Sequence, residues 1–146
     1  MTLKVLTFNI FHDYPALRHF EERLAILERA LVAEAADLVV LQEAWISRTH
    51  GDLVARLVEG LRQCGLAYQQ FYAPANGSVG GGGEFEEGSA ILSRWPIADA
   101  EARELAPEHP IERTWHGYVY QERRIAVRAS VIIAGRCRLQ VFGTHL

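Results

Sequence analysis

The sequence predicts a single α/β or α+β domain in which helices and loops cover a sheet of mixed strand pairing. Its first 42 residues read as a strand, a helix and a second strand, which favours parallel pairing through a right-handed crossover. Short strand-like segments follow one another from residue 68 onward, which indicates hairpins. With 146 residues, 49% of them hydrophobic, the chain is long enough to bury one core.

The opening strand-helix-strand unit is defined by its apolar spacing. Residues Leu3–Ile10 are rich in β-branched and aromatic side chains and predict a strand. A helix follows and ends near Ala35, and the strand Leu38–Gln42 comes directly after it. The apolar face of this helix is marked by Leu17, Phe20, Leu24, Leu27 and Leu31. Its other faces are filled by Glu21, Glu22, Arg23 and Glu28.

A second helix is predicted from the same kind of spacing between Leu53 and Leu61, with Gly65 placed to cap it. The residues 47–51 before it form a polar connection. A strand over Tyr68–Tyr72 leads into a glycine-rich loop over Pro74–Gly83. No lysine follows those glycines at the spacing of a nucleotide-binding loop, which argues against a phosphate cradle there.

The rest of the chain predicts strands separated by turns and one longer loop. Pro96 ends the predicted strand Gly88–Ser93, and Gly135 marks the turn of a final hairpin. In order, the predicted segments are the strands Gly88–Ser93 and Asp99–Leu105, the loop Pro107–Tyr120, and the hairpin strands Ile125–Ile133 and Arg138–Phe142.

Charge and cysteine content narrow the function classes. A net charge of −3 and a pI of about 6.1 argue against non-specific binding of nucleic acid through a broad basic face. Cys64 and Cys137 lie far apart in the sequence and predict small core or edge residues rather than a disulfide framework or a zinc site. Reduced thiols, with no signal-peptide pattern and no transmembrane segment, favour a cytoplasmic setting.

Polar residues with compatible chemistry stand at the ends of three predicted strands: Asn9, Glu43 and His145. Glu43 follows four apolar residues, and a carboxylate there calls for a cation or several donors. If the strands share one sheet and direction, the three side chains meet at one rim, where a carboxylate, an amide and an imidazole suit magnesium and phosphate. Each also has an ordinary explanation: a solvated Glu43 opening a loop, a capping Asn9 and a structural His145.

Four motifs occur in an order that makes the chain similar to a known family. Together they resemble the endonuclease/exonuclease/phosphatase superfamily of metal-dependent phosphoesterases, along nearly the whole chain. The motifs are Thr7-Phe8-Asn9-Ile10, Asp37-Leu38-Val39-Val40-Leu41-Gln42-Glu43, Ser89-Ala90-Ile91-Leu92-Ser93-Arg94-Trp95-Pro96-Ile97 and Val141-Phe142-Gly143-Thr144-His145-Leu146.

The resemblance implies an α/β fold that is half of a two-layered α/β sandwich, a mixed sheet with helices on one face. Two later family motifs, Gly-Asp-x-Asn and Ser-Asp-His, are absent, so residues 1–146 are expected to be the N-terminal part of one domain. The C-terminal half and its partner sheet are expected to be missing from this chain. A bare sheet face would then need a covering partner.

The resemblance also implies roles for the three rim residues. Glu43 corresponds to a ligand of Mg²⁺, with Mn²⁺ as an alternative, and Asn9 to the amide beside the metal and the scissile phosphate. His145 corresponds to the histidine that hydrogen-bonds a phosphate oxygen and stabilises charge in the transition state. Both Asn9 and Glu43 are therefore predicted metal-site residues, and all three are predicted catalytic residues.

The implied reaction is magnesium-dependent hydrolysis of a phosphodiester or phosphomonoester by in-line attack of water. The substrate is a phosphate ester, whether nucleic acid, inositol phosphate or phospholipid headgroup. The 146 residues alone are expected to be incomplete, inactive and weak in metal binding. The alternative is a non-catalytic binding module or truncated copy that pairs with a partner chain through its exposed sheet.

Further residues are open to more than one interpretation. His12, Asp13 and His19 are expected at the surface, and His109 and His116 show no metal-binding spacing. One aromatic residue of the long loop is expected to face substrate, among Trp115, Tyr118 and Tyr120. A local basic concentration either pairs with acidic residues, meets phosphate or is solvated; it comprises Arg123, Arg124, Arg128, Arg136 and Arg138.

Overall fold

The computed structural model describes residues 2–77, 79, 84–105, 111–115 and 118–145. Strands and helices alternate at first, and strands follow one another afterwards, as the sequence predicts. The elements are β1 (Val5–Asn9), α1 (Phe20–Glu34), β2 (Leu38–Ser47), β3 (Gly51–Asp52), α2 (Leu53–Gln63), β4 (Gln69–Gly77), β5 (Phe85–Ser93), β6 (Ile97–Leu105), β7 (Ile111–Trp115), β8 (Tyr118–Glu122), β9 (Arg124–Ile133) and β10 (Cys137–Thr144).

The first sheet has the strand order β1-β2-β5-β4, with the short β3 added beside β2. Strands β1 and β2 run parallel, because α1 carries the chain back between them. All other neighbours in this sheet are antiparallel. The predicted mixed sheet is therefore confirmed.

Both helices cover the same face of this sheet. From α1, Phe20 and Leu24 pack with Leu57 of α2 against Val39 and Leu41 of β2 in one buried cluster. Asp52 caps the N-terminus of α2, because its carboxylate accepts a hydrogen bond from the backbone N–H of residue 55 at 3.0 Å. Truncating a fully buried leucine of this layer, such as Leu57, would cost about 2–5 kcal/mol. Helices on one face of a mixed sheet are thus confirmed.

A second, antiparallel sheet with the order β10-β9-β6 lies on the other face of the first. Alternate β9 residues, Val127, Ala129 and Val131, are fully buried against Leu38 and Ile91 of the first sheet. The prediction that the partner sheet is missing from this chain is therefore wrong. Alternation shows that a strand has one buried face, but it does not show whether a helix or a second sheet covers that face.

Several predicted boundaries change. The beginning of the predicted glycine-rich loop, at residues 74–77, continues β4, because it pairs with residues 86–88 of β5. The predicted loop Pro107–Tyr120 contains β7 and the start of β8, which pair as an antiparallel hairpin. Residues 80–83, with their four glycines, lie outside the described part of the chain.

Other local predictions agree with the structure. Gly65 follows α2 with a φ of +83°, the left-handed conformation expected of a glycine cap. Helix α1 ends beside Ala35, as predicted. Cys64 and Cys137 are the exception: both are free but exposed, so neither is a core residue. Within the described residues, no helix is both long enough and apolar enough to cross a membrane.

Candidate active site

Glu43 owes its position to a bulge in β2. The pairing of β2 with β5 shifts between Gln42 and Ala44, so Glu43 is an extra residue without a partner in the ladder. Val39 and Leu41 face the helices, and regular alternation would send the side chain at position 43 into that same apolar layer. The bulge, with Glu43 at φ +55°, turns the carboxylate instead to the rim of the sheet, where β1 ends at Asn9. A left-handed L residue costs roughly 1–2 kcal/mol, which the surrounding contacts must offset.

Asn9 ends β1 directly beside this bulge. Its side-chain oxygen accepts a hydrogen bond from the backbone N–H of Phe11 at 3.0 Å, and only the amide oxygen can take that role. The amide NH₂ group therefore faces the site, where Nδ2 donates to Glu43 Oε1 at 2.8 Å. Asn9 is thus held as a hydrogen-bond donor toward the rim.

His145 reaches the same rim from the second sheet. Strand β10 passes close to β2 at Gly143, where an added Cβ would come within 2.5 Å of Val40 Cγ1. Beyond that contact, His145 Nε2 lies 3.4 Å from Asn9 Nδ2 and 3.9 Å from Glu43 Oε1. The structure therefore brings Asn9, Glu43 and His145 together, although β10 belongs to a different sheet from β1 and β2.

His12 is a fourth member of this group that the sequence prediction placed at the surface. Its backbone N–H donates to Glu43 Oε2 at 3.2 Å, and its Nε2 lies 3.8 Å from the same oxygen. Its Nδ1 accepts a hydrogen bond from the backbone N–H of Tyr14 at 3.0 Å, so the neutral ring carries its proton on Nε2. Burial lowers the pKa of His12, against the opposing effect of the Glu43 carboxylate.

Glu87 is a second carboxyl group near the rim, and the sequence reading missed it. It lines a small cavity with His145 and Arg124. Burial raises its pKa, and Asn76 opposes that shift by donating to its Oε1 at 2.6 Å. Its position in the segment Glu86-Glu87-Gly88, at the start of the predicted strand Gly88–Ser93, was the available signal.

The rim offers one well-placed oxygen ligand for a hard cation. Among the described residues, no group of three or more His, Cys, Asp and Glu side chains is arranged to hold a metal ion. Glu43, with only 16% of its side chain exposed, fits a Mg²⁺ ion that keeps water and substrate oxygens as its other ligands. The Asn9 side-chain oxygen accepts from the Phe11 N–H with one lone pair, so only its second lone pair could face such an ion.

The remaining candidate residues are either arginines in ion pairs or residues that lie outside the described part of the structure. Arg128 pairs with Asp99 at 2.8 Å and with Glu101 at 3.0 Å, and Arg138 also pairs with Asp99. Pairing with acidic residues is thus confirmed for part of the basic concentration. Outside the described residues or side chains lie His109, Trp115, His116, Tyr118 and Tyr120.

The sequence profile of the endonuclease/exonuclease/phosphatase family matches residues 6–135. The chain belongs to that family. Members of the family are hydrolases that act on phosphate esters. The matched region includes the strands that carry Asn9, Glu43 and Glu87, and it ends before His145.

A curated relative and two solved structures extend the comparison. The chain is 26% identical over 144 residues to an inositol phosphosphingolipids phospholipase C from Schizosaccharomyces pombe, covering 99% of this chain and 31% of that protein. A family member from Beutenbergia cavernae superposes with a TM-score of 0.72 at 24% identity, covering 99% of this chain and 38% of the other. One from Leptotrichia buccalis gives 0.71 at 17%, covering 99% and 55%.

These relatives are longer than the chain. The chain spans about a third of the curated relative and 38% and 55% of the two solved structures. The structural likenesses establish the fold, with the layer order of helices, first sheet and second sheet.

Proposed function

We propose that the chain is the N-terminal part of a magnesium-dependent phosphoesterase domain that hydrolyses a phosphodiester or a phosphomonoester. The observation that carries the proposal is the bulge that turns Glu43 out of the apolar layer and into contact with Asn9, beside His145. Glu43 adopts φ +55°, and two hydrogen-bond donors hold its carboxylate at the rim. This backbone conformation is costly and has no evident structural purpose.

Glu43 would hold the Mg²⁺ ion, and Mn²⁺ could take the same place because it accepts the same oxygen ligands. A bound Mg²⁺ supplies Lewis-acid polarisation of a phosphoryl oxygen. The Asn9 amide NH₂ would donate to a phosphate oxygen from its present orientation, so we assign it to orientation of the phosphate beside the metal. Direct ligation by Asn9, the other predicted role, would use the second lone pair of an oxygen that already accepts from the Phe11 N–H.

His145 would hydrogen-bond a phosphate oxygen and stabilise the negative charge that develops there as water attacks in line. Its side chain is about a third exposed, so it meets a ligand in the rim without further opening. Glu87, which shares a cavity with His145, is a group that would orient the imidazole.

The substrate is a phosphate ester. The name of the S. pombe relative supports a phosphosphingolipid or similar phospholipid headgroup, and the family also supports nucleic acid and inositol phosphates. The part of the domain that relatives carry beyond the matched region would complete the site. The 146 residues alone are therefore expected to bind metal weakly and to lack full activity. Exposed, reduced Cys64 and Cys137 suit the cytoplasm.

The test is magnesium-dependent hydrolysis by the complete encoded protein, compared between the wild type and Glu43→Gln. Loss of a metal ligand should lower kcat/KM more than about 100-fold, since even outer partners of ligands are worth 10- to 100-fold. The matched control is Glu84→Gln, an exposed glutamate outside the rim. Substrates are a nitrophenyl phosphodiester, the phosphomonoester and a phospholipid headgroup ester. Equal rates for wild type and Glu43→Gln would remove Glu43 from the mechanism.

The second function class, a binding module that pairs through an exposed sheet face, loses the surface on which it depended. The face of the first sheet opposite the helices is covered by β9 and its neighbours in the same chain. This face of the first sheet therefore gives the binding-module alternative no support.

A further inference from the structure

The turn after β1 holds the candidate site through its backbone. Two successive N–H groups are involved: that of Phe11 donates to Asn9 Oδ1 at 3.0 Å, and that of His12 donates to Glu43 Oε2 at 3.2 Å. The first of these bonds sets which way the Asn9 amide faces. The second holds one oxygen of the Glu43 carboxylate.

This turn adopts a backbone conformation that its residues do not favour. Phe11 has φ +50°, in a region that aromatic L residues rarely enter. Asp13 has φ +51°. The Phe11 ring is also 60% exposed, so burial of the ring does not hold the turn in place. Another contact must keep the two N–H groups directed at Asn9 and Glu43.

Arg23 supplies that contact from α1. Its Nη2 donates to the backbone carbonyl of Ile10 at 2.5 Å and also to the carbonyl of Phe11. The guanidinium carbon lies 5.5 Å from the centre of the Phe11 ring, within cation–π range. The sequence reading placed Arg23 on an outer face of the helix, but the side chain is half-buried because it turns onto this loop.

We propose that Arg23 is a positioning residue for the phosphoesterase site. It fixes the carbonyls of Ile10 and Phe11, and thereby the peptide groups whose N–H bonds orient the Asn9 amide and hold Glu43. The assignment rests on the proposed function, because it takes Asn9 and Glu43 as the phosphate- and metal-binding groups. Arg23 acts through the turn, because its guanidinium contacts the carbonyls of Ile10 and Phe11 and the ring of Phe11.

The experiment compares Arg23→Ala and Arg23→Lys with Arg29→Ala, an exposed arginine on the same helix. The first readout, without metal, is amide hydrogen exchange of Phe11 and His12, together with the NMR shifts of the Asn9 side-chain NH₂ group. In Arg23→Ala, exchange at both amides should rise about tenfold or more, as expected when hydrogen bonds to a charged donor are lost. Exchange in β2 should stay unchanged.

The second readout is the dissociation constant for Mn²⁺, from paramagnetic broadening of Asn9 and Glu43 signals. We expect a rise of about tenfold in Arg23→Ala, a smaller rise in Arg23→Lys, which keeps a cationic donor, and none in Arg29→Ala. Guanidinium ion added to Arg23→Ala should restore the Asn9 amide shifts toward wild type. A residue that only stabilised the fold would give neither the rescue nor the local exchange pattern.

Several outcomes would overturn the assignment. Unchanged Asn9 shifts and Phe11 exchange in Arg23→Ala would do so, as would equal effects in Arg29→Ala. Should Arg23→Ala fail to fold, Arg23→Gln takes its place, since it keeps much of the length without the charge. These measurements use the complete encoded protein. If its wild type binds no Mn²⁺, the proposed function fails, and the exchange and Asn9 shift measurements alone decide the role of Arg23.

Discussion

Burial of the Glu87 carboxyl near Glu43 and His145 couples the rim to pH. Its folded-state pKa lies above the ordinary value of 4.5, mainly because of burial. Between 4.5 and the raised pKa, the folded protein binds more protons at this group than the unfolded chain does. The stabilising contribution of Glu87 is therefore complete below pH 4.5 and is lost as pH rises through the raised pKa.

Glu87→Gln should remove this loss, because glutamine stays neutral and its oxygen can still accept from Asn76. We expect the variant to gain thermal stability relative to wild type at pH 8 and to show a smaller difference at pH 4. Melting temperatures of both proteins at the two pH values measure the effect. The control is Glu84→Gln, which changes an exposed carboxylate. A stability difference that is the same at both pH values would contradict the assignment.

Some site residues could be predicted from the sequence, and others could not, for a physical reason. Asn9, Glu43 and His145 stand at strand ends, and strand ends are readable from hydrophobic patterns. His12 and Arg23 act through a turn whose left-handed residues include Phe11. Such a turn is normally signalled by glycine or asparagine, and neither stands at position 11 or 13.

Among the elements, β4 and β5 leave no room for a side chain at Gly88. A Cβ at that position would lie 1.9 Å from the backbone oxygen of Ala73 and 2.8 Å from Pro74 Cα. Backbone atoms in the middle of a sheet cannot move aside without loss of ladder hydrogen bonds. Glycine is thus required beside the bulge of β2, where Gly88 pairs with Ala44.

Gly88→Ala is expected to destabilise the protein by about 1–3 kcal/mol or more, as overpacking does. The matched control is Gly60→Ala in α2, where the added Cβ would meet only the carboxylate end of Glu28, a flexible side chain. Alanine within a helix is favoured over glycine by roughly 0.5–1 kcal/mol, so this variant should be neutral or more stable. Urea unfolding of both variants tests the contrast, and equal destabilisation would count against the role given to the Ala73 carbonyl.

Helices and strands could be predicted where the hydrophobic periodicity was strong. The layer of the fold to which each of them belongs could not be predicted. The apolar spacing of α2 and its glycine at position 65 identified both the helix and its end. The alternation in β9 identified a strand, but an alternating strand packs equally well on helices or on another sheet. The separation of β6, β9 and β10 into a second sheet follows from long-range packing that local patterns do not contain.

The whole molecule is layered as helices, first sheet and second sheet, and β1 forms one edge of the first sheet. Within the described residues, no strand pairs with the outer edge of β1, where Val5 is 51% exposed. A cavity of about 240 Å³ lies between this strand and α1, lined by apolar side chains that include Phe8, Ile10 and Ile26. An unpaired edge beside apolar surface favours association with further polypeptide.

We therefore expect the 146 residues alone either to self-associate or to fall short of full hydrolase activity. Sedimentation velocity and phosphodiester hydrolysis, each measured on the 146 residues and on the complete encoded protein, check this. Val5→Lys should weaken any association through the β1 edge, because a charged edge resists strand pairing. Val32→Lys on α1 is the control, since Val32 is exposed on a helix rather than on a strand edge. A monodisperse, fully active monomer would refute the expectation.

The bulge in β2 bears on how such a site arises and how it could be lost. Because Glu43 is one residue more than the ladder can pair, the rim carboxylate depends on strand length as well as on residue identity. Deleting a single codon between Gln42 and Ala44 would restore regular pairing and leave the strand without its outward turn. An insertion or deletion, as well as a substitution of Glu43, is thus a genetic step that separates a sheet with this carboxylate from one without it.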